Sequence, residues 1–439
     1  MREFVRKLDE EGQLRAVQRE VDPLHELAAV TKASQNASDD AVLFNRVRGS
    51  GIPVVTNLYG SNTRLRELIG AGEDSFCHAW SRMLDASRQR STAATTPGEP
   101  PVDLIAGTLS DLPLITYHAR DSGPYFTSAI YLAKNPETEI PNLSFHRSMY
   151  VSNQELRVRL GSSHDLARYQ SHAETADQPL EAALLIGVSP EVFLAACASV
   201  PTEWNELELA AGIANRPIET YRGRSVDLDI PANTEIVIEG QFVPNERRNE
   251  GPFGEFLGYY VPAGDNHVFE VREVYWRKDP IFHSILCGSP EDRLVLEAIN
   301  AAKTFRHLNA ILPGIIDVSC SPAFMNTTIK IRQQYEGHAR QVLLAAFAAD
   351  LDYNKACFVV DEDVDISDMN EVIWAFVTRG RADKRVMVID DVPGFYRDEH
   401  KDHWGRIGID ATMPFGRQAE FARKTIPGEL KIKLDDYFL

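Results

Sequence analysis

The chain has 439 residues, 44% apolar and 25% charged, the balance of a folded globular protein long enough for two or three domains. Its 64 acidic against 46 basic residues give a formal charge of −18, the wrong sign for tracking nucleic acid or anionic lipid, although a local basic pocket for one small anion is compatible with it. The five cysteines (Cys77, Cys197, Cys287, Cys320 and Cys357) form no Cys-x-x-Cys pair, which argues against a disulfide framework or zinc ribbon and fits a reducing cytoplasm.

The opening "MREFVRKLDEEGQL" has no apolar signal core and reads as an amphipathic helix followed by an extended "QLRAVQREVD". "DPLHELAAVTKAS" follows as a helix, "AVLFNRV" and "IPVVTNL" as strands and "NTRLRELIG" as a helix, a pattern that predicts a small α/β domain over 1–108. Within it, "TAATTPGEPPVD" (92–103) has the composition of a linker or crossover. From about 110 to 290 short strands separated by turns dominate, such as "QELRVRLG", "TEIVIEGQFVP" and "HVFEVREVYW". "AALLIGVS" and "EVFLAACAS" lead there to a helical patch near 205–214. Such spacing favours an antiparallel barrel or sandwich over 109–290. "SPEDRLVLEAINAAKTFRHLNAIL" has helical periodicity and predicts a linking helix over 291–311. Beyond 312 the α/β style returns: "GIIDVSCS", "TTIKIRQ", "KACFVVDEDVD" and "RVMVID" as strands, "GHARQVLLAAFAAD" and "DMNEVIWAFVTR" as helices. The expected class is therefore α/β (α+β). No stretch approaches the roughly 20 apolar residues of a membrane span, so a cytoplasmic protein is expected.

Three groups of residues offer chemistry. In "PNLSFHRSMYVSNQELRVRLGSSHD" (141–165), Arg157 and Arg159 share one face of a strand, an arrangement equally suited to solvent. Arg147, between apolar neighbours, is placed to clamp a carboxylate or phosphate. Asn142, His164 and Glu206 offer an amide oxygen, an imidazole and a carboxylate, a mix suited to Mg²⁺ or Mn²⁺ rather than Zn²⁺, yet their spacing alone does not separate a site from scattered polar residues. In "NEGPFGEFLGYY" (249–260), Glu250 and Glu255 flank a restricted turn. This is either an ordinary acidic hairpin or a working pair. In a working pair the acid beside Arg⁺ stays ionised and the one among apolar neighbours carries a proton. "GSPEDR" and "VTRGRADKR" read as loops or caps, and "WGRIGIDATMPFG" (404–416) has the composition of an ordered active-site loop.

Taken in order, "REFVRKLDEEGQLRAVQREVDPLHELAAV", "AVLFNRVRGSGIPVVTNLYGS", "PNLSFHR", "NELELAAGIANRPIE", "EGPFGEFLGYY", "IKIRQQYEGHARQVLLAAF", "FVVDEDVDI…EVIWAFVTR" and "GRIGIDATMP" resemble the UbiD-type decarboxylases almost from end to end. That family includes the 3-octaprenyl-4-hydroxybenzoate and ferulic acid decarboxylases, which use prenylated FMN. The resemblance implies an N-terminal α/β domain, a central split β-barrel like flavin reductases, a linker helix and a C-terminal α/β domain. It implies non-oxidative decarboxylation of an α,β-unsaturated or aromatic carboxylic acid. Arg147 would pair with Glu250 and orient the substrate carboxylate, and Glu255 would donate the proton. Asn142, His164 and Glu206 would hold Mn²⁺ (or Mg²⁺) against the flavin phosphate, Arg159 would contact the flavin and Lys330 the phosphate. Main-chain oxygens of Ala198 and Ser199, in "CASVP", would take K⁺. Phe256, Phe395 and Tyr396 are pocket-wall candidates that suit a core equally well. The family often has glycine where Ala211 stands, a change of one methyl. A flavin prenyltransferase supplying the cofactor and a homodimer or larger homo-oligomer follow from the same resemblance. So do two rival readings, a carboxylase (or carboxylase subunit) and a non-catalytic flavin-binding or assembly subunit.

Overall fold

The computed structural model describes residues 1–89, 94–161, 164–322, 325–350, 353–392, 405–428, 431–433 and 437. Phe395 and Tyr396 lie outside the described residues. The chain divides into two compact units, Met1–Arg306 with Cys320–Phe324, and His307–Ser319 with Met325–Leu439.

In the first unit, a four-stranded sheet takes Leu14–Val17, Ala41–Phe44 and Val54–Thr56 from the N-terminal region and Phe282–His283 from far along the chain. Residues 41–44 and 54–56 are buried almost throughout, as runs of Val, Leu and Phe covered by helices should be. Helix Arg2–Glu10 buries Phe4, Val5 and Leu8 on one face, the spacing of an amphipathic helix. Helix Phe76–Arg88, not expected from the periodicity, is capped by the Ser75 side chain on the backbone N–H of His78.

The larger sheet has nine antiparallel strands. Its path runs Tyr125–Phe126, Ser148–Ser152, Glu155–Val158, Gly264–Trp276, Ile236–Glu250, Leu180–Ile186, Ile130–Lys134 and Pro141–Phe145, with Ile105–Gly107 paired onto Gly264–Trp276. The expected β-rich stretch is this sheet. The path is open-ended, so no closed barrel forms among the described residues. "EVFLAACAS", grouped with that stretch, instead forms helix Pro190–Cys197. Pro190 sits in its first turn, where a missing N–H costs nothing, and Ala195 and Ala196 favour the helix. Helix Glu206–Ala214 starts at an Asn205 cap that accepts from the Leu207 N–H. Ala211 is buried in that helix without disturbing it.

Tyr131, Phe242 and Phe269 pack as a fully buried aromatic triad at the centre of this sheet, with ring centroids 5.1–5.5 Å apart. Helix Pro290–Ile311 begins in the first unit and ends in the second.

The second unit is a five-stranded sheet in the order Ile315–Ser319, Asn326–Ile331, Ala356–Asp361, Gly405–Asp410, Val386–Asp390, parallel at its centre. Helices His338–Ala349 and Met369–Arg379 accompany it. A small core of Val360, Val364, Val372, Ala375 and Ile409 joins the second helix to the sheet. No described helix is long and apolar enough to cross a membrane.

Truncating Phe242 to Ala should cost ~3–5 kcal/mol, the usual price of emptying a large aromatic site in a rigid core. Urea unfolding followed by circular dichroism would show this as a fall in the midpoint of the first unit's transition.

Candidate active site

Arg147 sits where strand Pro141–Phe145 turns into strand Ser148–Ser152. Its side chain is 8% exposed and reaches two acids. Nε donates to Glu250 Oε1 at 3.1 Å and Nη2 to Glu250 Oε2 at 2.8 Å, while Nη1 donates to Glu255 Oε2. The guanidinium also lies over the Phe253 ring, 4.9 Å from its centroid. Burial works against the Arg147 charge, but Glu255 and Glu250 outweigh it and push its pKa above the ordinary value.

The two acids flank a hairpin turn. Glu250 ends the long strand Ile236–Glu250, and Phe253–Gly254 pairs with Tyr260–Val261. The Glu255 N–H donates to Tyr259 O at 2.9 Å and Gly258 N–H to Glu255 O at 3.0 Å, closing the turn. From outside, the Gly254 N–H donates to Asp121 Oδ1 and the Ser122 N–H to Pro252 O. Residue 254 must be glycine here, because an added Cβ would lie 2.4 Å from Nδ1 of His118.

Arg147 does not tell the acids apart, contrary to the expectation that only one would pair with it. Their other surroundings do. Glu250 is fully buried, whereas the Glu255 side chain retains 10% exposure. Glu250 also accepts from Tyr125 Oη and Asn266 Nδ2, both at 2.8 Å. Burial and the adjacent Glu250 charge push the Tyr125 phenol well up, so it keeps its hydrogen and donates a hydrogen bond to Glu250 at any physiological pH.

Behind the hairpin lies the turn before helix Pro290–Ile311. Asp292 accepts from the Gly288 N–H at 2.7 Å, and an added Cβ on Gly288 would come within 3.3 Å of the Phe256 carbonyl oxygen. Removal from water pushes Asp292 from 3.8 up to about 6, helped by Glu255 and Glu291 and opposed by bonds to the Gly288 N–H and Cys287. The Cys287 thiol is pushed up by burial, Asp292 and Glu255. "GSPEDR", which reads as a plain cap, thus backs the acid pair. Phe256 is half-buried beside it.

A second polar centre uses the strand Pro141–Phe145 itself. Asn142 Nδ2 donates to Glu206 Oε1 at 3.0 Å and the Leu143 N–H to Glu206 Oε2 at 3.3 Å. Ser144 Oγ lies 3.0 Å from both Asn142 Oδ1 and His146 Nε2, and His146 Nδ1 is 3.2 Å from the Arg159 carbonyl. The ring of His164, just before helix Asp165–Thr175, is 5.2 Å from that of His146. Burial pushes Glu206 up to about 7, and none of the ion pairs among the described residues includes it. A buried carboxylate without a cation, held by an amide whose oxygen is 3.0 Å from Ser144 Oγ, fits a hard divalent ion.

Among the other sequence candidates, Arg159 is half-buried and one hydrogen bond away through His146. Ala198 follows helix Pro190–Cys197 in extended backbone, and Ser199 after it is exposed. Lys330 lies in the second unit, where hydrogen bonds from Ser367, and to a lesser extent the Lys330 charge, hold Asp365 below the ordinary carboxylate range. Sequence reading missed Tyr125, Asn266, Cys287 and Asp292, lone polar residues that no local pattern distinguishes. Ser144 and His146 lay inside "PNLSFHR" and were passed over.

Three models of the 3-octaprenyl-4-hydroxybenzoate carboxy-lyase match the chain: the N-terminal domain over 5–84, the Rift-related domain over 96–290 and the C-terminal domain over 293–411. The UbiD-class enzyme HmfF from Pelotomaculum thermopropionicum, solved in complex with FMN, is 34% identical with a TM-score of 0.93, over 100% of this chain and 99% of that one. Vanillic acid decarboxylase from Sedimentibacter hydroxybenzoicus is 26% identical with a TM-score of 0.86, over 98% and 96%. Anhydromevalonate phosphate decarboxylase from Methanothermobacter thermautotrophicus is 28% identical over 429 residues, 96% of this chain and 99% of that protein. The chain belongs to the UbiD family of carboxy-lyases.

Asp292 gives the site's surroundings a pH signature. Folding raises its pKa, so folded and unfolded chains are both protonated below about 3.8 and the cost of ionising it in the fold grows as pH rises to about 6. Asp292→Asn should therefore gain stability over the parent across that window and hold the gain above it, checked by urea denaturation at a series of pH values. A gap that closed as pH rose would contradict the assignment.

Proposed function

We propose that this protein is a prenylated-FMN-dependent decarboxylase that removes CO₂ from an α,β-unsaturated or aromatic carboxylic acid, in a reaction open to reversal. The observation that carries this reading is the buried Arg147 shared between Glu250 and Glu255. HmfF solved with FMN, and an evolved dimeric form of it with prFMN, support the cofactor. The relatives named for vanillic acid and for anhydromevalonate phosphate differ in chemistry, which keeps the substrate class broad.

Glu250 takes Nε and Nη2 of Arg147, and Tyr125 and Asn266 hold Glu250 in turn. The guanidinium is thereby fixed with Nη1 towards Glu255, and a substrate carboxylate that takes Nη1 displaces Glu255 from it. Glu255, the more exposed acid, once freed takes a proton from solvent and delivers it from its carboxyl to the carbon that has lost CO₂. Phe253 and Phe256 keep water from that carbon. When bound, the prenylated flavin supplies the electron sink that no ordinary side chain provides for the carbanion.

Mn²⁺ (or Mg²⁺) would be held by Asn142, Glu206 and His164, and K⁺ by main-chain oxygens of Ala198 and Ser199. Arg159 would contact the flavin. Asn142 and Arg147 are five residues apart, at most roughly 17 Å of extended chain, so one short segment serves both centres. A homodimer or larger assembly in the cytoplasm, with a flavin prenyltransferase supplying the cofactor, completes the proposal.

Holo-protein challenged with a panel of aryl, enoic and long-chain carboxylic acids should release CO₂ from at least one of them. Glu255→Gln should lower that turnover by ~10²–10⁴-fold while the flavin absorbance stays. Near-normal turnover in the variant would overturn the role of Glu255.

A further inference from the structure

The chain Glu206–Asn142–Ser144–His146–Arg159 can be counted hydrogen by hydrogen. Glu206 accepts from Asn142 Nδ2, which fixes the amide with Oδ1 on the side of Ser144. At the far end the Arg159 carbonyl can only accept, so Nδ1 of His146 carries the ring hydrogen. His146 is buried, 4% exposed, and its neutral ring then presents Nε2 as a bare acceptor. Between the two ends stands Ser144, 3.0 Å from Asn142 Oδ1 and 3.0 Å from His146 Nε2. It faces two acceptors with one hydroxyl hydrogen. The network is one hydrogen short, and a buried acceptor left unpaired is costly.

A cation on Asn142 Oδ1 resolves the shortage, because that oxygen then needs no hydrogen. We propose that His146 is a positioning residue for the cation site: its Nε2 takes the Ser144 hydroxyl hydrogen when a divalent ion binds and so clears Asn142 Oδ1 for ligation. Without the ion the hydroxyl turns to Asn142 Oδ1; with it, to His146. The inference rests on reading Asn142 and Glu206 as cation ligands. It adds a two-position hydroxyl whose setting and ion occupancy are linked, and the linkage is reciprocal.

The consequence is a sign that a merely structural role does not produce. Without an acceptor at position 146, the Ser144 hydrogen competes with the metal for Asn142 Oδ1. Deleting the hydroxyl as well removes the competitor. His146→Gln places an amide oxygen near the Nε2 position, whereas His146→Asn mimics only the Nδ1–H.

Mn²⁺ would be titrated into each protein in the presence of FMN, with the free ion read by electron paramagnetic resonance. Ser144→Ala and His146→Gln should bind Mn²⁺ as the wild type does. His146→Asn should bind it ~10–100-fold more weakly, the usual effect of losing a group that orients a ligand. Adding Ser144→Ala to His146→Asn should restore most of that loss. A double variant as weak as His146→Asn, or weaker, overturns the inference. So does a tenfold or greater loss from Ser144→Ala alone, which decides the matter even if His146→Asn fails to fold. Wild-type protein that binds no Mn²⁺ with FMN present overturns the cation site itself; binding that none of the variants alters overturns only the role of His146.

Discussion

A guanidinium held almost out of water between two carboxylates is the constraint on which the first unit is organised. Burying Arg147 and Glu250 is costly unless every donor and acceptor is matched, and truncating one partner strands the other. Matching them requires four separate pieces of chain. The strand Ile236–Glu250 supplies Glu250, its neighbour Gly264–Trp276 supplies Asn266, the sheet edge supplies Tyr125, and the hairpin returns Glu255. The register that pairs Glu250 with Gly264 puts Asn266 within reach, so a slip of the central strand pair would break the site as well as the sheet.

The turn at the head of helix Pro290–Ile311 serves this arrangement from two sides. Glu291, buried, accepts from the backbone N–H groups of Asn57 and Tyr59 and lies 3.0 Å from Nε2 of His283. It thereby secures the end of the four-stranded sheet. Its neighbour Asp292 holds Gly288 against the backbone of Phe256. Adjacent acids thus tie one helix start to a sheet on one side and to the hairpin that carries Glu255 on the other. Tyr59, stacked on Phe193 at 3.7 Å, extends the first of these ties into helix Pro190–Cys197.

The two polar centres differ in how they treat charge. At Arg147 two carboxylates and a guanidinium share a matched cluster. At Glu206 a buried carboxylate has only neutral donors, and burial drives its pKa up to about 7. One centre arrives with its cation built in; the other has none among its hydrogen-bond partners. Strand Pro141–Phe145 and the two residues after it carry Asn142 to the second and Arg147 to the first, so one short segment joins the two centres.

Much of this was legible in the order of residues. Amphipathic spacing set the helices, runs of Val, Ile and Phe set the strands, and the restricted "GPFG" turn between two glutamates announced a hairpin, because these depend on neighbours in sequence. The order of motifs carried the family. Sequence alone did not show that Arg147 would grip both acids, nor that Tyr125, Asn266 and Asp292 would close around them. It also did not single out the helix Pro190–Cys197 and passed over His146. Those features come from residues tens to more than a hundred positions apart, brought within 3 Å by sheet register and burial. Local pattern determines which elements form; only the packed structure decides which polar groups lose water together, and that loss is what gives them their chemistry.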